Sequence, residues 1–146
     1  MTVEGILKRK DRGVITIEGD TPVGAAICIM RHRHVGALVV SHNGYDVEGL
    51  ICERDLIRAL KSHGINRLMP MTVADIMCRE VASCRPDEDL RRVMTRMSAR
   101  RAHHMPVVND NGLCGIVSMA EIVDRRLVKA EKDAASLCGS ISVPGK

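Results

Sequence analysis

Two short stretches place a carboxylate one turn into an expected helix, directly after an apolar run: Cys52-Glu53-Arg54-Asp55 and Ser118-Met119-Ala120-Glu121. An acid there complements the positive end of the helix dipole, worth about 0.3–1 kcal/mol. Its two oxygens can also accept a pair of neighbouring hydroxyls from a ligand. Ser118 and Glu121 read as a capping box, each side chain satisfying the other's backbone N–H. In the first stretch a thiol, a weak hydrogen-bond partner, replaces the hydroxyl. The expectation is therefore that Asp55 lacks a local partner and is open to a ligand, whereas Glu121 is tied up. Basic side chains suited to phosphate are Arg54, the run "RHRH" (31–34) and the run "RRAHH" (100–104). His32 and His34 share a face of an extended segment, but no thiol pair completes a zinc set, so no metal is expected.

Catalytic motifs are missing from the sequence. No G-x-x-x-x-G-K-[ST] loop cradles phosphates, no G-x-G-x-x-G follows a strand, no H-E-x-x-H occurs, and no nucleophile elbow surrounds a serine. Of the 146 residues 45% are hydrophobic, yet Phe and Trp are absent and Tyr45 is the only aromatic. The core must then be aliphatic, with Met, Ala and Cys, and no stacking platform exists for single-stranded nucleic acid. The net charge of +4 is spread over amphipathic segments, which argues against a dedicated nucleic-acid binder. Six cysteines, at 28, 52, 78, 84, 114 and 138, form no C-x-x-C pair. Four lie in apolar runs, as buried free thiols do. The leading "MTVEGILKRKDRG" does not read as a secretory signal, and no apolar run reaches bilayer length. A reducing cytoplasm is the expected location.

The elements that must position the two acids are written twice. "VITIEGDTPVGAAICIM" (14–30) aligns with "VASCRPDEDLRRVMTRM" (81–97), then "RHRHVGALVV" with "SARRAHHMPVV", and the leaders "TVEGIL" (2–7) and "TVADIM" (72–77) match loosely. Each copy reads as a short strand (14–17, 81–84), then a helix. The helices are expected to be capped at Thr21 with Pro22 at the first helical position, and at Asp87. Their apolar faces are Val23, Ala26, Ile27 and Met30 in one copy and Leu90, Val93, Met94 and Met97 in the other. Two strands joined by an Asn-Gly turn follow, then a second helix (54–62, 120–130).

This β-α-β-β-α order, with "VGALVV…GLICERDLIRAL" and "HHMPVVNDNGLCGIVS", resembles the CBS domain, which occurs in tandem pairs. The resemblance implies an α+β fold: two CBS repeats packed sheet to sheet as a pseudo-twofold module. Residues 1–68 form the first repeat with its leader, 69–130 the second, and 131–146 a peripheral tail. The family implies a regulatory sensor, paired into dimers, whose clefts bind AMP, ADP, ATP, NAD(H) or S-adenosylmethionine, and a regulated protein partner. Carried over, the base is held by Thr16, Ile17, Gly36, Ala37 and Leu38 in one copy and by Ser83, Cys84, His104, Met105 and Pro106 in the other. Phosphate falls to Arg33 or His34, to Arg100 or Arg101, and to Arg54; ribose falls to Asp55 with Cys52, and to Glu121 with Ser118. Cys52 stands where the family has Thr or Ser, and Glu121 where it has Asp. Those departures leave a second reading open, a dimerising interaction scaffold with degenerate, empty clefts.

Overall fold

A computed structural model of the chain describes residues 1–10 and 13–141. In the first repeat, β1 (Thr16–Ile17) runs parallel to β2 (Ala37–Val40), and β3 (Gly49–Cys52) pairs antiparallel with the other edge of β2. In the second, β4 (His104–Asn109) and β5 (Gly112–Ser118) are antiparallel, and the entering segment contributes one parallel bridge, Cys84 with Val107. The expected four-residue entry strands are thus shortened to two residues and to one bridge. In the second repeat a side chain competes for the ladder: Arg96 Nη2 donates to the Ser83 carbonyl at 2.8 Å. Pro86, which has no N–H to give, then ends the extended run.

The helices α2 (Val23–Arg33) and α6 (Leu90–Ala99) cover the sheets as the periodicity requires, with Val23, Ala26 and Met30, and Leu90, Val93 and Met97, buried. Their starts differ from expectation. Pro22 is itself the N-cap of α2, because Val23 and Gly24 donate to the Met71 and Met69 carbonyls at 2.8 and 3.1 Å. Tertiary acceptors replace the threonine hydroxyl. In α6 the cap is Asp89 rather than Asp87, its carboxylate accepting from Arg91 N–H at 3.1 Å. The left-handed residue is equivalent in both copies, each with φ 54°: His34 is the C-cap of α2, and Arg101 follows the C-cap Arg100 of α6.

The two leaders are exchanged. Helix α1 (Val3–Leu7) precedes the first repeat but buries Val3 and Ile6 among Leu90, Val93, Met97, Met105 and Val117 of the second. Helices α3 (Glu53–His63) and α4 (Ile65–Leu68) follow β3, and then α5 (Val73–Ile76) packs Val73 among Ile17, Ala26, Leu38 and Ile51 of the first repeat. Each leader crosses a glycine. A Cβ on Gly49 would lie 2.9 Å from the Cys78 carbonyl oxygen, and one on Gly115 would lie 2.6 Å from Leu7 Cδ2. Between the sheets, Ala37, Val39 and Leu50 meet Leu113, Val108 and Ile116, so β2 is buried on both faces.

The closing helix α7 spans Met119–Ile141, eleven residues beyond the expected end. Residues 131–138 include Ala134, Ala135, Glu131 and Lys132, all good helix formers, and no proline interrupts them. They are exposed; the final part of the expected tail, 142–146, lies outside the described residues. Of the six thiols only Cys84 is buried, and Cys28, expected in an apolar run, sits on the solvent face of α2. Among the described residues no helix is long and apolar enough to cross a membrane.

Candidate ligand-binding clefts

Helix α3 begins where β3 leaves the sheet, Cys52 adopting φ −130° and ψ 171° as N-cap. Asp55, at the third helical position, turns back toward it. The Cys52 N–H donates to Asp55 Oδ2 at 2.9 Å and the thiol donates to the same oxygen at 3.1 Å. The expectation that Asp55 lacks a local partner is therefore wrong. The backbone N–H is as good a donor beside a thiol as beside a hydroxyl, so the reciprocal capping box forms in the first copy despite Cys52. Burial pushes the Cys52 thiol up, which keeps it a protonated donor rather than a nucleophile. Asp55 Oδ1 remains, 3.7 Å from Arg58 Nη1.

This carboxylate faces a cleft of about 560 Å³, and its walls come from both repeats. The first repeat supplies Gly36, Cys52, Arg54, Asp55 and Arg58; the second supplies the strand entry Val81–Ala82 and the segment from Arg100 to His104. Sheet-to-sheet packing about the pseudo-twofold sets the end of β3 opposite the start of β4. Residues of both repeats therefore share this cleft, Asp55 of the first facing Val81 and Ala82 of the second. Arg54 Nη1 donates to the Arg101 carbonyl at 3.1 Å and its Nη2 meets His103 Nε2, tying the two walls at the mouth. Four arginines, at 54, 58, 100 and 101, stand there against Glu53 and Glu80.

Of the other expected residues, His104 also lines this cleft, whereas Ile17, Ala37, Leu38, Cys84, Met105 and Pro106 are buried in the cores. The Pro106 carbonyl is occupied by Cys84 N–H at 3.0 Å and that of Ser83 by Arg96. Thr16, Arg33 and His34 line a separate open groove of about 880 Å³ with Ile15, Cys28 and His32. Sequence reasoning missed Arg58, Glu80, Val81 and Ala82, while His103 lies in the expected basic run 100–104. Arg58 carried a signal, its i, i+3 spacing from Asp55 on a helix.

The acid of the second repeat is differently engaged. Ser118 Oγ donates to Glu121 Oε1 at 3.0 Å and accepts from Glu121 N–H at 3.1 Å, which is half of the expected box: the carboxylate takes the serine hydroxyl rather than its backbone N–H. Glu121 Oε2 forms an ion pair with Lys10 Nζ at 2.8 Å, and the same ammonium donates to the Ile116 carbonyl. His104 lines the Asp55 cleft and also feels Glu121; among the described residues its buried Nδ1 has no hydrogen-bond partner. Burial and the neighbouring His103 push its pKa down, against the pull of Glu121 and Glu53. Among the described residues no three His, Cys, Asp or Glu side chains converge as a metal set.

The CBS-domain family model matches residues 3–62 and 73–127. The chain belongs to the CBS-domain family. A mitochondrial CBS domain-containing protein of Arabidopsis thaliana is 31% identical over 130 residues, 84% of this chain and 63% of that one. The inosine-5'-monophosphate dehydrogenase of Methanocaldococcus jannaschii is 30% identical over 79% of this chain, which spans only 22% of the dehydrogenase. Among solved structures, a CBS-domain containing protein from Agrobacterium tumefaciens superposes with a TM-score of 0.81 at 31% identity, covering 86% of this chain and 99% of that one. A CBS domain pair solved with 5'-methylthioadenosine and S-adenosyl-L-methionine superposes at 0.75 with 25% identity, covering 90% and 98%. The tandem CBS pair packed sheet to sheet, expected from the duplicated motifs, is the fold observed.

Proposed function

We propose that this CBS pair is a regulatory module that holds an adenosine-containing ligand in the cleft between Asp55 and the Val81–Ala82 strand entry. The observation that carries the reading is the makeup of that cleft: the half-buried Asp55 carboxylate inside, aliphatic residues along the wall, and four arginines against two glutamates at the mouth. A carboxylate beside strand ends accepts ribose hydroxyls, the aliphatic wall takes a flat purine, and the arginines meet phosphate. The structural relative solved with two adenosine-containing ligands supports the same class. AMP, ADP, ATP and NAD(H) fit the cationic mouth, whereas S-adenosylmethionine brings a sulfonium to it. The module acts by ligand binding rather than catalysis, in the cytoplasm, and passes its state to a partner protein. It pairs with a second copy through the apolar residues that α3 and α7 leave exposed, Ile57 and Leu60 with Val123 and Leu127.

A thermal-shift panel of AMP, ADP, ATP, NAD, NADH and S-adenosylmethionine tests the reading. At one hundred times its dissociation constant a ligand adds about 2.7 kcal/mol to the folded state. For a chain of this size that raises the midpoint by about 5–10 °C. Denaturing the purified protein should also release absorbance near 260 nm if a nucleotide is carried through purification. No shift with any of the six at millimolar concentration overturns the nucleotide reading in favour of an empty interaction scaffold.

A further inference from the structure

The leaders differ in a way the repeat does not require. Between Leu7 and Val14 the chain has six residues, "KRKDRG" (8–13), where the corresponding link between Met77 and Val81 has three, "CRE" (78–80). The short link lies flat: Cys78 exchanges both backbone hydrogen bonds with Leu50, each at 2.9 Å. The long link leaves the counterpart of Leu50, Ile116, with its carbonyl taken by the Lys10 ammonium instead. From there Lys10 reaches Glu121, the counterpart of Asp55.

We propose that Lys10 is a built-in occupant of the position that the pseudo-twofold relates to the Asp55 site, its ammonium standing where the ribose hydroxyls of a ligand would meet Glu121, so that each chain binds a single nucleotide, in the Asp55 cleft. The proposal rests on the reading of the clefts as adenosine sites and assigns their stoichiometry. Three observations converge on it. Both oxygens of Glu121 are engaged, one by Ser118 and one by Lys10, whereas Asp55 has Oδ1 facing only a surface arginine at 3.7 Å. In the repeat register Ala120 stands where the first copy has Arg54, and Asp124 where it has Arg58. The two positions that carry arginine beside the acid in the first copy thus carry none in the second, and the Lys10 ammonium is aimed at the carboxylate. Lys10 is also held better than a surface lysine, with a side chain 27% exposed against 74% for Lys8.

The decisive experiment is calorimetric titration of the full chain and of Lys10→Ala with AMP, ATP and S-adenosylmethionine as probes. The expected result is about one site per chain in the unaltered protein and two in Lys10→Ala, the second showing with S-adenosylmethionine, which brings no phosphate. One site in both overturns the proposal and leaves the nucleotide reading standing. Two sites in the unaltered protein overturn it as well. No binding by either protein overturns both, and the clefts are then not nucleotide sites. A ligand-free readout guards against a variant that misfolds. Brief labelling with an N-hydroxysuccinimide ester, read by peptide mass spectrometry, should acylate Lys10 several-fold more slowly than Lys8, and Glu121→Gln should remove most of that difference. Equal rates in the unaltered protein mean that the ammonium is not held in the cleft, which overturns the proposal.

Discussion

Replacing Asp55 by Ala separates two roles that one side chain performs. Oδ2 accepts the Cys52 N–H at 2.9 Å and the thiol at 3.1 Å, and a hydrogen bond of this kind contributes about 0.5–1.5 kcal/mol net. Losing the cap should lower stability by about 1–2 kcal/mol, or roughly 2–8 °C in midpoint for a chain of this length. Ligand affinity should fall through the other oxygen. With its side chain only 12% exposed, Asp55 makes a poorly hydrated, charge-assisted contact, worth about 1.5–3 kcal/mol. That is a loss of roughly ten- to a hundredfold in Kd. Glu121→Ala removes the Ser118 hydroxyl hydrogen bond and the Lys10 ion pair, so it should cost similar stability while leaving the affinity of the first cleft unchanged. Calorimetry gives the Kd and scanning fluorimetry the midpoint, each at a temperature where all three proteins are folded. Tight binding by Asp55→Ala, or its loss in Glu121→Ala alone, would refute the assignment of the acids.

Three further outcomes are expected. Gly49→Ala drives a Cβ to 2.9 Å from a backbone oxygen, and Gly115→Ala meets the movable end of Leu7. Overpacking against backbone costs about 1–3 kcal/mol, so Gly49→Ala should lower the melting midpoint clearly more than Gly115→Ala, and equal drops would contradict the packing described. His104 is held neutral below its ordinary pKa of about 6.5. The unfolded chain takes up its proton first as pH falls, so stability should decline from about pH 7 downward, until the folded His104 also titrates. In His104→Gln the slope of midpoint against pH over that window should flatten, with Glu53, Glu121, His103 and Lys10 still present as its neighbours. Truncation after Ala130 removes a helical extension exposed from 131 to 138; the midpoint at low protein concentration should move by less than about 2 °C, and a larger loss would show that the extension docks on a second copy.

The duplicated fold was legible because its signals are local: Asn-Gly turns, apolar faces at helical spacing, and an acid after each closing strand. Asp55, Arg54, Gly36, Arg101 and His104 were legible as cleft residues for the same reason. Which repeat completes each cleft was not, because nothing near Asp55 in sequence says that Val81 and Ala82 will face it. Helix starts failed where a distant carbonyl did the capping, as Met71 does for Val23. Asp55 was misjudged because side-chain chemistry was weighed and the Cys52 backbone N–H was not. Lys10 looked like one charge in a polar leader; its role depends on α1 docking on the other repeat.

That docking makes the pair an interlocked object. Each repeat's core is finished by a segment reached through the other's chain, α1 for the second and α5 for the first. Neither half can melt by itself without opening a hole in its neighbour, so unfolding should be a single cooperative event. A chain cut between α4 and α5 would produce fragments that each lack a piece the other carries, able to recover the fold only by finding one another.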